Sequence, residues 1–259
     1  MKLLNSQMSQ RVQLFELQRR CNKQKKYKAR KLKNNNFDPV IVNKEPYSIG
    51  HLKDIMLNID IDFSNGDTRT IAVHMRPTNH LFSRKVEGTD YENRPALTAT
   101  GHWLTSYVHH EGNFFNVKGN PPSIKEHRIF CRNKWQDSFL FPSFVELIRD
   151  RPSHVTVLAN AGDDKTCLSG ILEIEERPDE VYLVFFTLTK VNSKEANMLI
   201  ESAYCVDRAK NLKAKKLISN TRKEESKPFV VALKNVMEGR KPMLSVKKSR
   251  RAYKRKKKK

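Results

Sequence analysis

The run from Val181 to Val191, VYLVFFTLTKV, constrains this chain more than any other segment. It is the most β-prone stretch present, built almost wholly from branched and aromatic residues that fit a pleated sheet. Any fold must place it as a strand and supply neighbours. Arg177-Pro178-Asp179 turns the chain before it, and Thr166 to Glu175 upstream reads as a preceding strand. Another turn, Asn160 to Asp164, separates that strand from Val155 to Ala159. Downstream, 194–207 (KEANMLIESAYCVD) carries mixed signals. Lys, Glu, Ala, Met and Leu favour a helix, whereas Ile200 and Tyr204-Cys205-Val206 favour a strand. A strand from about Met198 completes an antiparallel meander.

A helix is expected just before the meander, from Phe139 to Arg149. Phe144, Leu147 and Ile148 share a face, Pro142 sits in the first turn, and Arg151-Pro152 ends it. Earlier still, Leu57, Ile59, Ile61 and Phe63 alternate with polar residues. Ser64-Asn65-Gly66-Asp67 then turns the chain, and Thr70 to Met75 returns it as a hairpin. Residues 76–134 show few periodic stretches. Basic helices are expected from Arg208 to Ile218 and from Pro228 to Met237. The expected fold is α+β: a helix packed on an antiparallel β-meander, with basic helical or disordered arms at both ends.

Charge distribution sets the expected domains. The chain carries a net charge of +22, but residues 1–33 hold +10 of it and 208–259 hold +18, leaving 34–207 at −6. A basic helical arm is therefore expected over 1–36, a core over 37–207 and a basic extension over 208–259. Asn34-Asn35-Asn36 and Asp38-Pro39 mark the first boundary. Such arms suit a polyanion, since each phosphate neutralised releases a counterion. A membrane surface is the rival partner, but the last stretch interleaves only Ala252 and Tyr253 with its charge, so no membrane partner is expected. A solvated tail with no partner is the third reading. The four cysteines, Cys21, Cys131, Cys167 and Cys205, have neither disulfide-framework nor zinc spacing. A reducing compartment follows, cytoplasmic, or nuclear or nucleolar in a eukaryote. No apolar run approaches the length of a membrane span.

Six of the eight histidines, His74, His80, His102, His109, His110 and His127, fall between 74 and 127. Imidazole titrates near neutrality and can serve as general acid and base without a metal. His109-His110-Glu111-Gly112-Asn113 sets two of them beside a turn, and Lys118 nearby could stabilise a pentavalent phosphorane. The spacings fit no common zinc set, and no metal or other cofactor is expected. Arg76 and Arg128, with Arg84 and Arg132, are candidates for bidentate phosphate contacts. Lys247, Lys248, Arg250, Arg251, Lys254 and Arg255 would hold phosphate from the tail. Trp103, Tyr107, Phe114, Phe115 and Trp135 are candidates for base stacking, with core packing preferred for Phe114 and Trp135.

A helix followed by an antiparallel meander whose late strand carries Glu201-Ser202-Ala203-Tyr204 resembles the barnase–EndoU–colicin–RelE superfamily of metal-independent ribonucleases. The resemblance covers roughly 128–207. It implies cleavage of RNA through the 2′-hydroxyl, with Ser202 and Tyr204 on the base-binding or catalytic face and Lys190 as the cation. The upstream histidines match none of that superfamily's spacings. The chain has no GxxxxGK[ST], GxGxxG or GxSxG sequence, which disfavours NTPase, dinucleotide-dependent and α/β-hydrolase chemistry. Two readings remain. In one, the chain is an RNA-directed, metal-independent endoribonuclease. In the other, it is a non-catalytic RNA- or DNA-binding or ribonucleoprotein-associated scaffold protein. The basic arms serve both, RNA is favoured over DNA, and the oligomeric state is open.

Overall fold

The computed structural model describes residues 39–105, 127–159, 167–219 and 226–243. The chain divides into two units, Met1–Asn35 and Asn36–Lys259, and every described residue belongs to the second. The arm expected over 1–36, the turn at 160–164, the pair His109 and His110, Lys118, Tyr107, Phe114, Phe115 and the tail cations from Lys247 to Arg255 lie outside the described residues.

The fold is α+β. It opens with a small hairpin, β1 (Val40–Val42) and β2 (Glu45–Tyr47). Their link, Asn43-Lys44, has positive φ at both positions, the twist that a two-residue hairpin turn demands. The expected second hairpin follows as β3 (Ile55–Asp62) and β4 (Thr68–Pro77). Leu57, Ile59 and Ile61 point into the core while Met56, Asn58 and Asp60 face outward, so the alternation in sequence is the alternation of the sheet.

The region 76–134, which offered little periodicity, contains short elements. A 3-10 turn at Asn79–Leu81 leads to β5 (Ser83–Lys85), and two short helices follow, α1 (Gly88–Glu92) and α2 (Arg94–Ala99). Strands β6 (Trp103–Thr105) and β7 (His127–Phe130) complete a three-stranded sheet ordered β5-β7-β6. Elements of three to six residues cannot display a period, which is why the sequence hid them.

Helix α3 (Arg132–Asp137) passes through a 3-10 turn into α4 (Phe141–Asp150), the helix expected before the meander. Phe141, Phe144, Val145 and Ile148 of α4 are buried against the sheet. The sheet itself has seven strands. To β3 and β4 it adds β8 (Thr156–Ala159), β9 (Cys167–Glu173), β10 (Glu180–Lys190), β11 (Glu195–Asp207) and β12 (Ser226–Pro228). Its order is β12-β8-β9-β10-β11-β4-β3. Every pairing is antiparallel except β11 with β4, which run parallel and join the hairpin to the meander. Gly170 on β9 lies under the Phe144 ring, and a β-carbon there would sit 3.1 Å from it. The glycine lets α4 approach the sheet closely.

The folded body does not stop at Asp207, where the charge count set its end. Helix α5 (Leu212–Ser219) brings Leu217 against Leu158 and Leu183 on the outer sheet face. Beyond it, β12 pairs with β8, and α6 (Phe229–Met237) buries Phe229, Ala232, Leu233 and Val236 in the main core. Net charge described the surface of this segment and missed its apolar stripe. No described helix is long and apolar enough to cross a membrane.

Candidate functional site

The two sheet faces have different surroundings, and one residue decides which side chains each receives. On β11, Ala196, Met198 and Ile200 point into the main core, so the alternating residues Asn197 and Leu199 point outward. Phe186 pairs with Ile200 but Phe185 pairs with Ser202, leaving Glu201 as a bulge. The extra residue reverses the phase of the strand. Ala203 is then fully buried, while Ser202 and Tyr204 join the outer face instead of entering the core. Thr78 holds the bulge from the side: its Oγ1 donates to the Glu201 carbonyl at 3.0 Å and its N–H donates to the Ile200 carbonyl at 3.1 Å.

Helix α3 brings Lys134 to this face. Its Nζ lies 3.0 Å from Ser202 Oγ, 2.7 Å from the carbonyl oxygen of His80 and 5.2 Å from the centre of the Tyr204 ring. Burial lowers the ammonium to a pKa of about 8, and the Arg128 charge pushes the same way. Cys131 and Asp137 oppose it. The Tyr204 ring stacks on Phe185 with centroids 5.5 Å apart, and Lys213 of α5 reaches over Phe185 at 4.6 Å. Burial also raises the Tyr204 hydroxyl above the usual phenol range. The site is thus a half-buried lysine and serine in contact, flanked by two stacked rings and a second cation.

The sequence placed Ser202 and Tyr204 together on one face, and they are there. It also placed Lys190 beside them, and that cation is elsewhere. Lys190 pairs with core-facing Ala196 and donates to the Met237 carbonyl at 2.6 Å. The cation beside Ser202 is Lys134, which sequence reasoning missed. Its helix is six residues long, and a contact spanning 68 residues of chain leaves no local trace.

The arginines expected at phosphate have other positions. Arg128 is 5% exposed; its Nε donates to Ser83 Oγ at 2.7 Å and a terminal nitrogen donates to the Ser83 carbonyl at 3.2 Å. Arg84 makes a two-pronged pair with Asp90 at 2.6 and 2.7 Å, which holds the Asp90 carboxyl down at about 2. Arg76 is 2% exposed, and burial lowers it to about 10 against the pull of Asp54. Asp54 keeps both carboxyl oxygens buried without a hydrogen bond, and burial pushes it up to about 6 despite Arg76. Neither Arg76 nor Arg128 presents a guanidinium to a macromolecule at the surface. Arg132 is exposed.

The described histidines do not converge. His74 lies on the outer face of β4, His80 in a 3-10 turn, His102 against Thr100 at 2.9 Å, and His127 beside Trp103 with ring centres 5.3 Å apart. No group of three or more metal-binding side chains occurs among the described residues. Trp103 is buried, and Trp135 packs between Tyr47 and Phe139 with its Nε1 donating to the Ser48 carbonyl at 2.8 Å. Both are structural.

Fold and site together define an α+β protein with a lysine, a serine and a tyrosine gathered on the outer face of a mixed sheet. The chain belongs to the YjaZ family, whose model matches residues 39–237, from just before β1 to the last residue of α6. No curated protein and no solved structure matches it.

Proposed function

We propose that this protein binds RNA and cleaves it without a metal at the Lys134–Ser202–Tyr204 face. The contact between Lys134 and Ser202 carries the reading, because it sets a cation and a hydroxyl donor side by side on the half-exposed face of a sheet. In this reaction the 2′-oxygen attacks phosphorus, the bond to the 5′-oxygen breaks, and a 2′,3′-cyclic phosphate forms. The 2′-hydroxyl gives up a proton and the departing 5′-oxygen gains one. Protonated Lys134 stabilises the charge that builds on the phosphoryl oxygens, Ser202 donates a hydrogen bond to one of them, and the Tyr204–Phe185 pair takes a neighbouring base. Lys213 of α5 and the basic ends of the chain supply the salt-sensitive part of the affinity. The free thiols of Cys131 and Cys205 agree with a reducing compartment, and a cytoplasmic or nuclear location belongs to this proposal.

A second observation favours binding without cleavage. Lys134 also donates to the His80 carbonyl, as a lysine built into the fold would do. Labelled RNA incubated with the full chain in EDTA separates the two readings. Cleavage leaving cyclic phosphate ends, reduced about a hundredfold in Lys134→Met, supports the enzyme. RNA that is bound but intact leaves the scaffold reading standing.

A further inference from the structure

We infer that Ser202 is a nucleophile, activated by Lys134, that accepts acyl groups from esters with an apolar or aromatic part. This activity is separate from RNA cleavage and does not depend on it. A serine hydroxyl attacks a carbonyl only when a base within hydrogen-bond reach takes its proton. Lys134 Nζ is within that reach at 3.0 Å. It makes no ion pair among the described residues, and its other polar contact is the His80 carbonyl. That carbonyl accepts one N–H of the amine, and Nζ donates another to Ser202 Oγ; when that proton is lost, the lone pair takes the same direction and accepts from the serine hydroxyl. A lysine paired to a carboxylate could not act this way. The nearest carboxylate on the helix, Asp137, is engaged with the Cys205 N–H.

The charged and titratable groups around the amine come from several elements: Arg128 on β7, Cys131 and Asp137 on either side of it in sequence, and Tyr204 on β11. Burial and Arg128 together favour the free amine, which is the form the chemistry needs. The bulge at Glu201 sets Ser202 half-exposed on the outer face, so an ester can reach it. The stacked rings of Phe185 and Tyr204 offer an apolar flank for the acyl or aryl part. In the step itself, Ser202 Oγ bonds to the carbonyl carbon as its proton passes to Lys134. The ester C–O bond then breaks, and the alcohol leaves with that proton. Water hydrolyses the acyl-serine afterwards.

The test uses the full chain and a fluorophosphonate probe, in which the Oγ–P bond forms and fluoride leaves. One adduct is expected, mapped by mass spectrometry to the peptide holding Ser202. Its rate should rise with pH and level off above about 8, the value to which Lys134 is lowered. Ser202→Ala should abolish it. Lys134→Arg, which keeps a cation and donors but no accessible neutral form, should slow it about a hundredfold. The wild-type pH profile needs no variant and keeps the test valid if either variant folds poorly. An absent adduct, an adduct on another residue, or a rate indifferent to both pH and Lys134 overturns the inference. Labelling without RNA cleavage sinks only the ribonuclease reading, and cleavage without labelling sinks only this one.

Discussion

Asp137 accepts the backbone N–H of Cys205 at 2.9 Å, three residues along the helix from Lys134 and three along the strand from Ser202. The bond ties α3 to the outer half of β11 and so fixes the separation of the two site residues. Burial, with the Asp137 carboxylate adding to it, pushes the Cys205 thiol up to about 12, which removes that sulfur from thiolate chemistry at neutral pH.

Asp137→Ala should leave the Cys205 N–H without a partner and cost about 1–3 kcal/mol, read from the urea midpoint. RNA cleavage should fall about tenfold beyond the folded-fraction loss, because positioning suffers. Asp137→Asn keeps an acceptor and should restore most of both. Equal losses in the two variants would show that charge, not position, is what Asp137 supplies.

Lys134 makes stability depend on pH. Its folded pKa, about 8, lies below the ordinary lysine value of 10.5, so between these limits the unfolded chain binds more protons than the folded one. Stability should therefore rise as pH increases from about 8 to 10.5, and the charged form costs of the order of 3 kcal/mol below that window. The difference in urea midpoint between wild type and Lys134→Met, followed from pH 7 to 11, isolates the effect from other titrating groups. A difference that stays flat would contradict the burial argument.

Asp54 acts in the acid range. Its folded pKa, about 6, lies above the ordinary 3.8, so the folded chain holds the proton more tightly and stability should fall as pH rises across that interval. Asp54→Asn should remove this fall and stabilise the protein at pH 7 by about 2 kcal/mol. Thermal melts at pH 4, 5, 6 and 7 check both statements.

Gly101 tests the small hairpin. Its φ is +77°, and a β-carbon there would meet the Ile41 carbonyl oxygen at 2.2 Å. Gly101→Ala should cost about 3 kcal/mol in a urea titration, since backbone strain and collision act together. A loss below about 1 kcal/mol would mean that β1 can move away freely.

Two truncations separate core from tail. Ending the chain at Asp207 removes β12 and α6 with buried Phe229, Leu233 and Val236, and that fragment should not fold. Ending it at Met243 keeps them and discards 244–259, which carries ten Lys and Arg. The longer fragment should melt as wild type does, while its RNA affinity becomes less salt-sensitive. The log–log slope should shrink by about 0.7 for each phosphate that the tail neutralises in the full chain. An unchanged slope would exclude the tail from phosphate.

Long periodic elements were legible in the sequence. Leu57 to Phe63 alternates, Val181 to Val191 is β-prone throughout, and both became strands at the expected places. The face shared by Ser202 and Tyr204 was legible too, because their spacing of two is the strand period. What could not be read is anything settled by distant packing. Lys134 meets Ser202 because α3 crosses β11, whereas nearness in sequence points to Lys190 instead. Arg76 and Arg128 looked like surface cations because composition does not report burial. The segment after Asp207 looked like a charged extension because its Lys and Arg were counted over 208–259 as a whole, which outweighed the apolar run from Phe229 to Met237.

The bulge at Glu201 makes the site a matter of counting. Everything on β11 before it and after it is out of step by one residue, so whether Glu201 is extruded or paired decides which residues meet solvent. In-frame loss of Glu201 alone would straighten the strand and still leave Ile200 and Ala203 facing the core, with Ser202 and Tyr204 facing outward. Pairing Glu201 in regular register, with no residue lost, is what would turn the serine and the ring inward and the alanine outward. In aligning relatives of this chain, a single gap at Glu201 is therefore compatible with a retained face.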